Sequence, residues 1–186
     1  KVADVKSYRV ALSWQAATDD LGVAAYHVYR GTERPSVVTK ENLLAELKPE
    51  QLAFADTQPR AGQTAYYAVL PVDVAGRQGD PRSVKVDVPK DTPPENALRI
   101  AASAGSKAVV IDWLGEVEPD VRELLIFRAE AADAEPKQVA VVKFAEAKNW
   151  LDRDVKDDVD YRYFIKLRDA GGLVSKPGAA VVASAG

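Results

Sequence analysis

An internal repeat of nearly one hundred residues constrains the fold of this chain more than any other sequence feature. An alternating apolar stretch ends at Trp14 in the first half, and a similar stretch ends at Trp113, which is 113 − 14 = 99 positions later. Asp56 and Asp152 follow later apolar stretches and are 152 − 56 = 96 positions apart. Such regular spacing is typical of a duplicated unit, so the sequence predicts two similar domains.

Alternating side chains predict strands in both halves. Residues 10–14 alternate between large apolar and small or polar side chains, and residues 26–30 and 124–128 are rich in β-branched, aromatic and aliphatic ones. A period of two places alternate side chains on one face of a sheet. We therefore predict core positions for Trp14, Tyr26, Val28 and Tyr67 in the first half and for Trp113, Ile126 and Tyr163 in the second.

Three stretches between these strands have weaker patterns. Residues 32–42 and 129–137 are predicted loops, because Pro35 and Pro136 cannot complete the hydrogen bonding of a central strand. Residues 43–47 fit either a short strand or a helical turn.

A proline-rich segment separates the two halves. Pro89, Pro93 and Pro94 lie within six consecutive residues, where they cannot continue a sheet and favour extended polyproline II. The sequence therefore predicts a first domain at residues 1–89, a linker at 90–94 and a second domain at 95–186.

Short alternating strands without a cysteine pair point to an immunoglobulin-like sandwich. The first half resembles the fibronectin type III family, especially its versions in bacterial secreted and surface proteins. The residues that carry the resemblance are 10–14, 18–23, 26–31, 56–57 and 73–76. The resemblance implies an all-β fold of two immunoglobulin-like (fibronectin type III) β-sandwiches in tandem.

The second half departs further from the family pattern. Residues 115–120 lack the Thr-Asp-Asp-x-Gly turn of the first half, and Leu124 stands where the family usually has Tyr. Tyr161 occupies the position of the family's tyrosine corner, where a phenol hydroxyl bonds upstream backbone, and it is expected in the core. The first half has Ala65 at that register with Tyr66 beside it, so either a bulge brings Tyr66 in or this corner is lost.

Composition argues against catalysis and against several partners. The chain has no cysteine, one histidine and a formal net charge of −3. The absence of cysteine excludes disulfides and Cys-ligated zinc, and the single histidine, His27, has no partners for a catalytic triad. The negative net charge supplies no basic surface for nucleic acid or an anionic membrane. We predict no catalytic residues, no metal, no cofactor and no membrane insertion, and the start of the chain without Met suggests an excised, soluble segment.

The densest acidic cluster is the stretch 152–160, which contains five aspartates. Several oxygen ligands could collect Ca²⁺, but Arg153 and Lys156 interrupt the run and the spacing of an EF-hand is missing. A solvated loop is the preferred interpretation. The adjacent Asp19 and Asp20 are predicted to cap a turn rather than to form an acid–base pair.

Aromatic side chains outside the predicted cores are the candidates for a contact surface. Tyr29 and Phe127 lie on the opposite face of their strands from the core register, and Trp150 occupies the position of Phe54, which could be partly exposed. His27 is predicted at a surface or interface. For Trp14 and Trp113 a core position is preferred over carbohydrate stacking.

The resemblance implies a non-catalytic spacer and interaction module of a larger extracellular or cell-surface bacterial protein, whose partners are the neighbouring domains of the parent chain. Two alternatives stay open at this point. One is a module that binds a polysaccharide or protein ligand, and the other is an accessory domain pair of a secreted carbohydrate-active enzyme. A sandwich fold by itself decides between none of these.

Overall fold

The computed structural model describes residues 1–34, 37–130 and 134–186 and divides into two compact units, Lys1–Asp91 and Thr92–Gly186. The division falls inside the predicted linker. In the described residues all regular structure is β, apart from a 3₁₀ turn at Lys40–Asn42, and no helix there is long and apolar enough to cross a membrane. Pro35, on which the loop prediction for residues 32–42 relied, lies outside the described residues.

The first unit is built from two antiparallel sheets. Its strands are β1 (Val2–Lys6), β2 (Arg9–Ser13), β3 (Val23–Gly31), β4 (Leu43–Leu47), β5 (Ala53–Asp56), β6 (Thr64–Asp73) and β7 (Arg82–Asp87). A three-stranded sheet has the order β1-β2-β5 and a four-stranded sheet the order β4-β3-β6-β7. The ambiguous residues 43–47 therefore form a strand.

The second unit has the same construction. Its strands are β8 (Arg99–Gly105), β9 (Ala108–Leu114), β10 (Val121–Ala129), β11 (Lys137–Lys143), β12 (Asn149–Asp152), β13 (Asp160–Asp169) and β14 (Val181–Ser184). The sheet orders are β8-β9-β12 and β11-β10-β13-β14, so each strand has the place of the strand seven labels earlier. This confirms the predicted all-β tandem of fibronectin type III-like sandwiches.

Each unit has its core between its two sheets. In the first unit Val10 and Leu12 of β2 pack with Val28 of β3 and Tyr67 of β6. In the second unit the larger cluster joins both sheets through Val109, Ile111, Leu124, Ile126, Tyr161, Tyr163, Ile165 and Leu167. Aliphatic side chains and buried tyrosines together fill the space between the sheets of each sandwich.

The two tryptophans expected in the cores are half-buried. Trp14 lies one residue beyond the end of β2 and packs against the core cluster, with its ring 5.6 Å from that of Tyr26 between centroids. Trp113 lies within β9 and packs against the second cluster. Their rings therefore close the edge of each core rather than fill its centre.

Two residues of β9 test the orientation of that strand. Ile111 is fully buried and Leu114 is 77% exposed. Ile111→Ala should lower the free energy of unfolding of the second unit by about 2–5 kcal/mol, because it leaves a cavity in a packed core. Leu114→Ala, the matched control, should change it by less than about 0.5 kcal/mol.

Hydrogen exchange of core amides in each unit, with urea unfolding of both variants, measures these effects. The amides of the first unit should keep their protection in Ile111→Ala, since distant and independent sites do not couple. Equal losses of unfolding free energy in the two variants would contradict the burial pattern of β9.

Candidate functional site

A buried carboxylate joins three strands of the first unit. Asp56, the last residue of β5, accepts hydrogen bonds at Oδ2 from Nη1 of Arg30 at 2.6 Å and from the Tyr67 hydroxyl at 2.7 Å. Its Oδ1 accepts the backbone N–H of Gln58 at 3.0 Å. Because Arg30 is in β3 and Tyr67 in β6, this network ties the three-stranded sheet to the four-stranded one.

The same network recurs in the second unit. Asp152, which is 2% exposed at the end of β12, accepts at Oδ2 from Arg128 Nη1 at 2.8 Å and from the Tyr163 hydroxyl at 3.0 Å. Arg128 also bonds the backbone oxygen of Asp154 and, at 3.1 Å, its carboxylate. The repeat thus preserves a buried polar network as well as apolar positions. We call this network the polar anchor; it consists of Asp56, Arg30 and Tyr67 in the first unit and of Asp152, Arg128 and Tyr163 in the second.

This anchor decides the role of the acidic stretch 152–160. Asp152 and Asp154 both pair with Arg128, and Lys156 pairs with Glu130 at 2.8 Å. Carboxylates already bound to a guanidinium are poorly placed to surround a cation. Two of the five aspartates of this stretch are therefore already engaged by an arginine, which counts against a cation-collecting loop that includes them.

The tyrosine corner is present in the second unit and lost in the first. The Tyr161 hydroxyl accepts the backbone N–H of Lys156, five residues upstream, at 3.1 Å. In the first unit Ala65 has the inward position, and β6 pairs with β7 in unbroken register from Thr64 to Val69. Without a bulge, Tyr66 cannot rotate into the core register.

Tyr29 does not belong to a contact surface, which corrects the sequence-based expectation. It does face away from the main core, but it is 4% exposed and lies in a second apolar cluster with Val37 and Leu70. The chain after β3 returns so closely that a Cβ added to Gly31 would lie 3.2 Å from the Val37 Cα. The outer face of this sheet is therefore covered.

The corresponding face of the second unit carries a half-exposed aromatic pair. Phe127 and Phe164 stack with centroids 5.0 Å apart and planes 5° apart, and the Lys166 ammonium lies 5.1 Å from the Phe127 ring centroid. Sugar stacking requires a free ring face. Phe127 has one face engaged by Phe164 and a cation close to its ring.

The remaining aromatic candidate, Trp150, is half-buried against the second core. His27 is also half-buried, with Nδ1 3.4 Å from the Tyr29 hydroxyl and Nε2 3.8 Å from a Glu46 carboxylate oxygen. Asp19 and Asp20 both accept the backbone N–H of Leu21, at 2.9 and 3.1 Å, as turn-capping residues do.

Large apolar side chains that are well exposed are all aliphatic in the part of the chain that the structure describes. They are Leu21, Val74, Leu114, Val141, Val174 and Val182.

Comparison with known proteins finds similarity to a curated enzyme. Exoglucanase B of Cellulomonas fimi is 26% identical over an alignment of 186 positions that covers 95% of this chain and 15% of that enzyme. The chain thus spans a small part of that enzyme's length, and the match runs through both units. No protein-family model matches the chain.

Similar solved structures include two from chicken. The CNTN1 FN1-FN3 domains are 13% identical with a TM-score of 0.46, over 100% of this chain and 64% of that one. A tenascin segment of two fibronectin type III domains is 14% identical with a TM-score of 0.43, over 99% of this chain and 96% of that one. The fold assignment itself rests on the strand order of each unit.

The two carboxylates that bind Arg128 provide a matched test of the polar anchor. Asp152→Ala should destabilise the second unit by about 3–5 kcal/mol, because it leaves a partly buried guanidinium and a buried phenol without their acceptor. Asp154 is 97% exposed in its side chain. Asp154→Ala should cost less than about 1 kcal/mol. Urea denaturation measures both, and equal costs would contradict the anchoring role of Asp152.

Alkaline pH should weaken the second unit through Tyr163. Burial and the charge of Asp152 raise the pKa of this phenol well above its ordinary value near 10. The neutral phenol therefore stabilises the folded state below the unfolded pKa, and this contribution is lost as pH rises above roughly 10. The loss approaches ~1.4 kcal/mol per pH unit for one proton.

Urea denaturation between roughly pH 9 and pH 11 measures this dependence. Tyr163→Phe should lose about 1 kcal/mol near neutral pH and should decline less steeply at alkaline pH. Parallel pH profiles for the variant and the parent chain would show that Tyr163 is not the responsible group.

Proposed function

Taking the chain as a tandem pair of fibronectin type III-like sandwiches, we propose that it is a non-catalytic spacer and accessory module of a larger extracellular protein that acts on carbohydrate. The observation that carries this proposal is the match to Exoglucanase B, which extends over both units but covers 15% of that enzyme. The proposed partners are the neighbouring domains of the parent chain.

The distribution of side chains supports an accessory rather than a catalytic role. The buried carboxylates Asp56 and Asp152 each bind an arginine and a tyrosine of their own unit. A general acid or base must reach a substrate, and these groups are enclosed by their partners. Their function is to hold the sheets of each sandwich together.

The surface supports a spacer rather than a sugar-binding module. Tyr29 is buried, Trp150 packs on the core, and Phe127 stacks on Phe164. These contacts occupy part of the ring surface that would otherwise be available to stack on pyranose rings.

Direct assays of binding and hydrolysis test this proposal. The purified chain should neither sediment with insoluble cellulose, xylan or polygalacturonate nor release reducing sugar from them. In the parent protein, deletion of both units should lower activity on insoluble substrate and leave activity on soluble oligosaccharides unchanged. A spacer sets the distance between neighbouring domains and takes no part in the catalytic step.

A matched pair of variants separates the rival function. The rival function is a polysaccharide-binding module. It would be supported if the chain bound polysaccharide saturably, if Phe164→Ala abolished this binding, and if the exposed-site variant Val182→Ala kept it. Sugar release by the purified chain alone would overturn its non-catalytic character.

A further inference from the structure

The two units carry different charges at one otherwise equivalent turn. Asp73 ends β6 and Asp169 ends β13, and each lies opposite the first residue of the neighbouring strand, Val23 or Val121. In both units the backbone N–H four residues further on donates to Oδ1 of the aspartate at 2.8 Å. The backbone of the turn is thus the same in both units.

In the first unit an arginine neutralises this aspartate. Arg77 donates from Nε to Asp73 Oδ2 at 2.8 Å, in addition to its backbone N–H. These two donors, the backbone one foremost, hold the pKa of Asp73 below its ordinary value. Both carboxylate oxygens of Asp73 are therefore satisfied within its own unit.

In the second unit the arginine is replaced by Leu173, which keeps the backbone donor and offers no cation. Asp169 is 4% exposed, and its Oδ2 is buried without a hydrogen-bond partner in the described residues. A buried carboxylate oxygen that has lost its donor costs free energy unless another group compensates its charge.

A second aspartate lies close to the carboxylate of Asp169. The residue before the neighbouring strand is Gly22 in the first unit and Asp120 in the second. Asp120 is 7% exposed, and one of its carboxylate oxygens lies within 4.8 Å of one from Asp169. From the first unit to the second, Gly22 becomes Asp120 and Arg77 becomes Leu173, a change of −1 − 1 = −2 in charge at one place.

We propose that the second unit binds a divalent cation, Ca²⁺, through Asp120 and Asp169. The +2 charge of this ion balances the change of −2 that the two replacements bring. Ca²⁺–oxygen distances are ~2.3–2.6 Å, so two ligand oxygens of one ion lie at most ~5 Å apart. The separation of within 4.8 Å satisfies this limit.

This site lies outside the acidic stretch 152–160. The composition had predicted that the chain binds no metal. Its ligands come from the start of β10 and the end of β13, which antiparallel pairing brings together. The ion would close the end of the four-stranded sheet in the second unit, as Arg77 does for its own turn in the first. This inference is independent of the proposed spacer function.

Thermal unfolding of the chelator-treated chain, with and without added CaCl₂, tests the proposal. At a concentration a hundred times the Kd, Ca²⁺ should raise the melting temperature of the second unit by roughly 10 °C or more. Asp169→Asn keeps an oxygen for the Leu173 N–H and should lose this shift. Asp154→Asn, which removes an exposed carboxylate of the acidic stretch, should keep it.

Leu173→Arg gives a further and opposite test. The new guanidinium should pair with Asp169 as Arg77 pairs with Asp73, so the variant should be stable in chelator and insensitive to Ca²⁺. The proposal fails if CaCl₂ at millimolar concentration shifts no transition, or if Asp169→Asn and the parent chain respond equally.

Discussion

The fold of each unit depends on one buried carboxylate that is shared between its two sheets. Asp56 and Asp152 end the edge strands β5 and β12, and each reaches an arginine and a tyrosine of the opposite sheet. A carboxylate removed from water is tolerated when donors surround it, and breaking one member leaves the others without partners. The apolar core brings the sheets together, whereas this network fixes how they are placed relative to each other.

Duplication kept that anchor and let the surfaces diverge. On the outer face of the four-stranded sheet, Tyr29 pairs with Ala68, and the small side chain leaves room for Val37 to pack there. In the second unit Phe127 pairs with Phe164, and the two rings stack instead. A core position tolerates little change in volume, while a position outside the core can change its chemistry at small cost to stability.

Electrostatic divergence follows the same rule at the turn after β6 and β13. The backbone hydrogen bonds of this turn recur in both units, including the left-handed glycines Gly76 and Gly172 that let the chain reverse. The side chains around it differ by two charges. A fold that is held by its core and its polar anchor can therefore acquire a different ligand chemistry at a turn, where function commonly lies.

Local patterns in the sequence determined the strands, the duplication and the class of fold. Alternation at residues 10–14 and the offsets between Trp14 and Trp113 and between Asp56 and Asp152 were sufficient, because side-chain periodicity and repeat spacing are properties of neighbouring positions. The inward position of Tyr161 followed from the family resemblance in the same way. These features required no knowledge of which distant residues meet.

Contacts between distant residues were decided by the tertiary structure alone. Tyr29 had the pattern of an outward residue, yet the returning chain at Val37 covers it. Asp152 had the pattern of a solvated acid, yet Arg128 and Tyr163 enclose it. Periodicity states which face a side chain occupies, but whether that face meets solvent, an apolar segment or a charge depends on packing over long sequence separations, which no local pattern encodes.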